Sequence, residues 1–239
     1  MIEDRTSQSP ETSIEKPPGF AIEIEQPCKG YRYNQDPFHL AEFIDEHSEL
    51  WRNQLTGNCL DIGCGVGILP LLLARKLPDT TFTGIEIQDE LARLAAHNCK
   101  RNHLADRIEI INTDYRQFNC QANGINHFQC VISNPPYYPQ ASGRINACLQ
   151  KQIARHEINS NLESLTRTAA LCLNNKGLFI TIFPAERLLE LTTHLQAVKL
   201  EPKHLKFIHP KGSDRAVMLL LAARKNGAPG IIIEEPMFI

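Results

Sequence analysis

NCLDIGCGVGILPLLLARKL, residues 58–77, decides the fold. Its first six residues, NCLDIG, form a short apolar run that reads as a buried strand. Glycines 63, 65 and 67 follow, and VGILPLLLARKL over 66–77 has the length and apolar density of a helix. Pro70 falls in its first turn, where a proline is tolerated. A strand running through glycines straight into a helix is the opening unit of a strand–helix–strand chain.

The same alternation continues on both sides. TFTGIEI (81–87), RIEIINTD (107–114), HFQCVIS (127–133) and GLFITIF (177–183) read as strands. DELARLAAHNCKRN (89–102), NSNLESLTRTAALCL (159–173) and AERLLELTTHLQAV (185–198) read as helices, with Asp89 placed to cap the first of them. HLKFIHP (204–210) and RAVMLLLAAR (215–224) form a closing hairpin, and IIIEEP adds an edge strand. The fold class expected is α/β: a Rossmann-like, doubly wound, mostly parallel seven-stranded sheet with an antiparallel edge hairpin. Upstream, FAIEIEQP (20–27) alternates like a strand, and a helix over 36–50 has Asp36 at its cap and Pro37 at its first position. Residues 1–19 are polar and proline-containing and read as a disordered tail. The expected division is tail 1–19, an arm over 20–57 and the main domain over 58–239.

At 239 residues the chain suits one large domain or a domain with an arm. No stretch has the length of a membrane span and no signal peptide is recognised, so a cytoplasmic protein is expected. Eight cysteines without a CxxC pair argue for a reduced protein with neither disulfide framework nor metal. The formal net charge of -2 points to no partner, but Lys199, Lys203, Lys206, Lys211 and Arg215 form a local basic stripe. It suits phosphates, or equally a strand edge guarded by lysines.

A doubly wound sheet places ligands at the carboxyl ends of its strands, and four informative groups fall there. Gly63, Gly65 and Gly67 make a G-x-G-x-G turn that lets a ligand approach the main chain. The helix after it offers N–H groups to a carboxylate, and Asp61 offers an acceptor to an ammonium. A ligand with both groups is an amino acid, such as the methionyl end of S-adenosylmethionine. Glu86, with Ile87 beside it, is placed to accept from ribose hydroxyls. Asp114 is placed to accept from an adenine amine, with Tyr115 close to the ring. An exposed strand-end carboxylate and an ordinary turn aspartate are the plain alternatives.

Asn134-Pro135-Pro136-Tyr137 closes the strand at 127–133. The Asn134 side-chain oxygen and the Pro135 carbonyl can accept from the two N–H bonds of a planar amine, favouring a pyramidal nitrogen and freeing its lone pair. Pro136 stiffens the loop, and Tyr137 offers a ring on which a base can stack. The loop beyond carries Arg144 and Arg155, which suit RNA phosphates or simply solvent.

This order of glycine turn, acid and acid resembles class I methyltransferases that use S-adenosylmethionine. In them the acid after the second strand binds ribose and the acid after the third binds adenine, roles the resemblance gives to Glu86 and Asp114. NPPY is similar to the motif of enzymes that methylate adenine N6 or glutamine amides. GYRYNQDPFHLAEF (30–43), NPPYYPQASGR (134–144) and IARHE (153–157) resemble the bacterial family that methylates adenine-37 N6 of valine tRNA. The resemblance covers residues 20–225. It implies S-adenosylmethionine as cofactor and tRNA as partner, with Asn134, Pro135 and Tyr137 catalytic and Asn134 also bordering the cofactor. It also implies that the segment with Tyr33, Asn34 and Gln35 covers the cofactor. A monomer or weak dimer is expected. Methylation of protein glutamine and a non-catalytic RNA-binding module are the competing readings.

Overall fold

Two layers of helices pack on a twisted, mostly parallel sheet in the computed structural model, which describes residues 11–29, 32–118, 127–135 and 162–239. The chain enters through β1 (Thr12–Glu15) and β2 (Ile24–Pro27), an antiparallel pair, then α1 (Asp36–Glu46) and α2 (Arg52–Leu55). The wound part follows as β3 (Gly57–Ile62), α3 (Ile68–Lys76), β4 (Thr80–Glu86), α4 (Asp89–Arg101), β5 (Ile108–Asn112) and α5 (Tyr115–Phe118). Then come β6 (Phe128–Ser133), helix α6 over residues 162–172, β7 (Leu173–Pro184) and α7 (Leu188–Ala197). β8 (Leu200–His209), β9 (Met218–Lys225), β10 (Ile232–Ile233) and β11 (Met237–Phe238) close it.

The expected seven strands stand in the order β8-β9-β7-β6-β3-β4-β5, with β10 and β11 both paired parallel to β8. β7, β6, β3, β4 and β5 run parallel. β9 is antiparallel to both its neighbours and lies between β7 and β8, so the closing hairpin is inserted with its second strand inward. Chain order reverses between β3 and β6: β4 and β5 extend the sheet one way and β6 starts the other. That is the topological switch point, where this class of sheet opens a crevice.

Several sequence expectations shift. Thr12–Glu15, assigned to the tail, is a strand, because its backbone pairs residue by residue with Ile24–Pro27. Asp36 and Asp89 are the first residues of their helices rather than caps; Gln35 and Gln88 hold the cap positions without side-chain bonds. Asn34 instead accepts from the Asp36 N–H at 3.0 Å. The first helix stops at Glu46, not 50.

The 20–57 arm shares a core with the sheet. Ile22, Ile24, Leu40, Phe43, Ile44 and Trp51 are buried in the same apolar cluster as Leu71 and Leu72 of α3 and Ile132 of β6. Two buried asparagines one turn apart, Asn98 on α4 and Asn102 at its C-cap, fasten β2 and the residue before it to the helix. Asn102 accepts from Glu23 N at 2.9 Å and donates to Glu23 O at 2.7 Å. Asn98 accepts from Glu25 N at 2.8 Å and donates to Glu25 O at 2.9 Å. Each side-chain amide therefore pairs with the main chain much as a neighbouring strand would, satisfying buried groups that would otherwise cost stability.

Candidate active site at the switch point

The register Asp61↔Ile132 between β3 and β6, continued two residues, brings the glycine turn beside Asn134. Ser133 locks this junction. Its hydroxyl donates to Ile62 O at 2.8 Å, and its carbonyl accepts from the Thr181 hydroxyl at 2.9 Å. Three strand ends are thus tied together one residue before Asn134, a preorganisation that a loop alone does not supply.

Gly63, Gly65 and Gly67 have φ of 79°, 56° and 82°. A side chain at these values is strained, which is why the turn is written in glycine. Nothing lies within 4 Å of where a Cβ on Gly63 would sit, whereas one on Gly67 would meet Ala95 Cβ at 3.2 Å. The first glycine therefore leaves open space above the turn, and the third lets α3 and α4 approach.

Glu86 is buried, and its two oxygens are held by main-chain donors. Gly65 N–H donates to Oε2 at 3.0 Å and Gln88 N–H to Oε1 at 2.8 Å. Each carboxylate oxygen has a further lone pair for a ligand hydroxyl. Asn112 straps the exit of β4, donating to Glu86 O at 2.8 Å and Ile87 O at 3.2 Å, while the Ile87 side chain stays exposed. Asp61 is also buried. Burial first, and the Glu86 carboxylate second, push its carboxyl from 3.8 up to about 8.

The Asp61 shift carries a stability consequence. The folded chain holds this proton at pH values where the unfolded chain has released it, so stability falls as pH rises from 3.8 towards about 8. Asp61→Asn is expected to flatten that fall, read from urea unfolding midpoints of both proteins across the interval. Equal slopes would show that Asp61 titrates normally.

Asp114 lies two residues beyond β5. It accepts from Arg116 Nε at 2.9 Å and from Arg116 N–H at 2.9 Å, capping α5, and the Arg116 hydrogen bond holds its carboxyl below the usual carboxylate range. The turn role and a ligand role thus compete for one side chain. Burial raises the Tyr115 phenol above its ordinary value, and its ring packs on the core beneath. Tyr33 donates its hydroxyl to Glu15 Oε2 at 2.9 Å and packs edge-on against Phe38 at 5.8 Å. It is therefore engaged within the arm, where a cleft of about 810 Å³ is lined by Lys16, Phe20, Tyr33, Gln35 and Phe38.

The structure thus gathers Asp61, Gly63, Gly65, Gly67, Glu86, Ile87, Asp114, Tyr115, Asn134 and Pro135 along the carboxyl ends of β3, β4, β5 and β6. Pro136, Tyr137, Arg144 and Arg155 lie outside the described residues. The sequence reading missed Asn98, Asn112, Ser133 and Thr181, which act by holding main chain. Asn98 also donates to Val66 O at 2.9 Å, joining the glycine turn to β2. A buried asparagine in a helix with apolar neighbours was the signal available.

The family model described as methyltransferase small domain matches residues 41–183. The tRNA1(Val) (adenine(37)-N6)-methyltransferase of Escherichia fergusonii is 36% identical over 129 residues, 54% of this chain and 51% of that protein. The Shigella boydii protein of the same name is 35% identical over the same shares. The chain spans about half the length of the curated relatives it matches. Among solved structures, a predicted O-methyltransferase of Agrobacterium tumefaciens aligns at TM-score 0.65 and 20% identity, covering 85% of this chain and 86% of that one. M. jannaschii TYW2, solved in complex with AdoMet, aligns at 0.57 and 12%, covering 92% and 88%.

Proposed function

The chain belongs to the methyltransferase small domain family, and from that premise we propose that it transfers a methyl group to the exocyclic N6 of an adenine in tRNA, at the base after the anticodon. The observation that carries the reading is the adjacency of the glycine turn and Asn134 at the switch point, fixed by the β3–β6 register and by Ser133.

S-adenosylmethionine supplies, when bound, the electrophilic methyl. The residues present suit it: an open space above Gly63, a buried carboxyl at Asp61, and a carboxylate at Glu86 already oriented by two main-chain donors. Asp61 would hold the amino group of the cofactor's methionyl end, and Glu86 would hold its ribose hydroxyls. Asp114, sharing itself with Arg116, accepts from the adenine edge of the cofactor beside Ile87 and Tyr115.

On the acceptor side, Asn134 Oδ1 and the Pro135 carbonyl take the two N–H bonds of the target amine. That draws the nitrogen lone pair out of the ring and frees it to act as a nucleophile. Tyr137 stacks on the base and Pro136 stiffens the loop, for an adenine presented unstacked by a tRNA loop. Arg144 and Arg155 meet phosphates. No covalent intermediate on the protein is required, since positioning and dipoles account for the chemistry.

The relatives' names support tRNA over protein as acceptor, and NPPY by itself serves either. The test is incubation of the purified chain with labelled cofactor and, separately, tRNA lacking the modification and release factor. Label appearing in tRNA and digesting to N6-methyladenosine is the expected result. Label only in the protein substrate overturns the assignment in favour of glutamine methylation.

A further inference from the structure

His47 is separated in sequence from His204 and Glu234 by most of the chain, yet the three converge. His47 Nε2 lies 2.8 Å from Glu234 Oε1, and His204 Nδ1 lies 2.9 Å from the same oxygen. One ligand atom from each residue lies within 4.8 Å of the other two. The three come from the end of α1, from β8 and from the segment after β10. Their side chains are only 12–14% exposed.

We propose that His47 Nε2, His204 Nδ1 and Glu234 Oε1 form a binding site for a divalent transition metal ion, with Zn²⁺ the ion their chemistry suits best. Two imidazoles and one carboxylate are a recurrent three-ligand set for zinc, leaving further positions to water. Closing atoms at these separations onto an ion at about 2.0–2.2 Å from each asks for side-chain shifts below about 1 Å.

The surroundings argue for a cation between these groups. His47 Nδ1 faces Phe43 O at 2.9 Å. A carbonyl only accepts, so Nδ1 carries a hydrogen. Nε2 then points a lone pair at a carboxylate oxygen, and that contact requires a metal ion or a second proton between them. The hydrogen bond from the far ring nitrogen to a backbone carbonyl is the outer contact that metal-binding histidines commonly make.

The ring planes are fixed as well. His47 stacks on Trp51 at 4.4 Å and 14°, and His204 stands edge-on to both, at 5.0 Å from His47 and 5.4 Å from Trp51. Of the neighbouring cations, Lys206 lies 3.6 Å from the other oxygen of Glu234 and is itself paired with Glu46. Lys206 thus shares its charge between Glu46 and Glu234 Oε2, and Oε1 is the oxygen turned to the two imidazoles. Arg224 opposes a positive charge near His204.

The site would staple the segment after β10 onto the sheet and onto α1, and cysteine spacing gives no hint of it. It stands apart from the methyl-transfer reading. The test uses the full chain after chelator treatment, titrated with Co²⁺ and then with Zn²⁺ alone. Expected are one Co²⁺ per chain with visible d–d bands and no thiolate charge-transfer band, displacement by Zn²⁺, and a higher unfolding temperature with metal. His204→Ala and Glu234→Gln should each weaken binding by about 100-fold or more. Metal-free unfolding curves of the variants show whether they fold. Absence of binding by the wild type overturns the proposal and leaves a protonated His47 clasp; so do binding that survives both variants and a thiolate band.

Discussion

Asn134→Ala is expected to lower the rate of methyl transfer to tRNA by roughly 10²–10³-fold, the usual cost of removing one preorganised polar group that acts on charge developing in the transition state. The loss should fall on kcat, because the Asn134 oxygen strengthens its hold as the nitrogen becomes positive. Binding of tRNA, measured by equilibrium titration, should change little. Ser133 and Thr181 keep the end of β6 in place whatever stands at 134, so the fold should survive. Single-turnover kinetics with saturating cofactor separate the two effects. A variant with normal kcat, or one that loses only affinity, would remove Asn134 from the chemistry.

Asn98→Ala is expected to lower the stability of the whole protein by about 2–4 kcal/mol, an effect at the large end for a single substitution. Asn98 is fully buried, and its truncation leaves Glu25 N, Glu25 O and Val66 O without that partner. Unpaired main-chain groups in a dry interface cost more than the bond they lost. Because one of the three belongs to the glycine turn, cofactor affinity should weaken as well. Urea unfolding of the two proteins gives the first quantity, and cofactor titration gives the second. A change under about 0.5 kcal/mol, the range of ordinary surface substitutions, would mean that water replaces the amide at no cost.

Much of this site was legible because its requirements are local. Positive φ at three alternate positions can hardly be written except as glycine, and so Gly63, Gly65 and Gly67 announce themselves. Strand ends are equally local, which placed Glu86 and Asn134 correctly on the rim. What escaped depends on distant partners. Thr12–Glu15 looks like polar tail, and only Ile24–Pro27 makes it a strand. Asn98 and Asn102 look like ordinary helix residues until β2 lies against them. Asp114 was read as a ligand group, and the local pairing with Arg116 two residues on was passed over. The inward position of β9 was beyond reach for a further reason: a hairpin's sequence is the same whichever of its strands faces the sheet.

That inward position has a bearing on how the protein is made. β8 leaves the ribosome before β9, yet among the described residues the only long strand it pairs with is β9. Until β9 emerges, β7, with its run LFITIF, presents a bare apolar border to the cell. A chain that folds as it emerges therefore leaves that one edge of β7 uncovered until β9 arrives, the stage at which a chaperone would matter most.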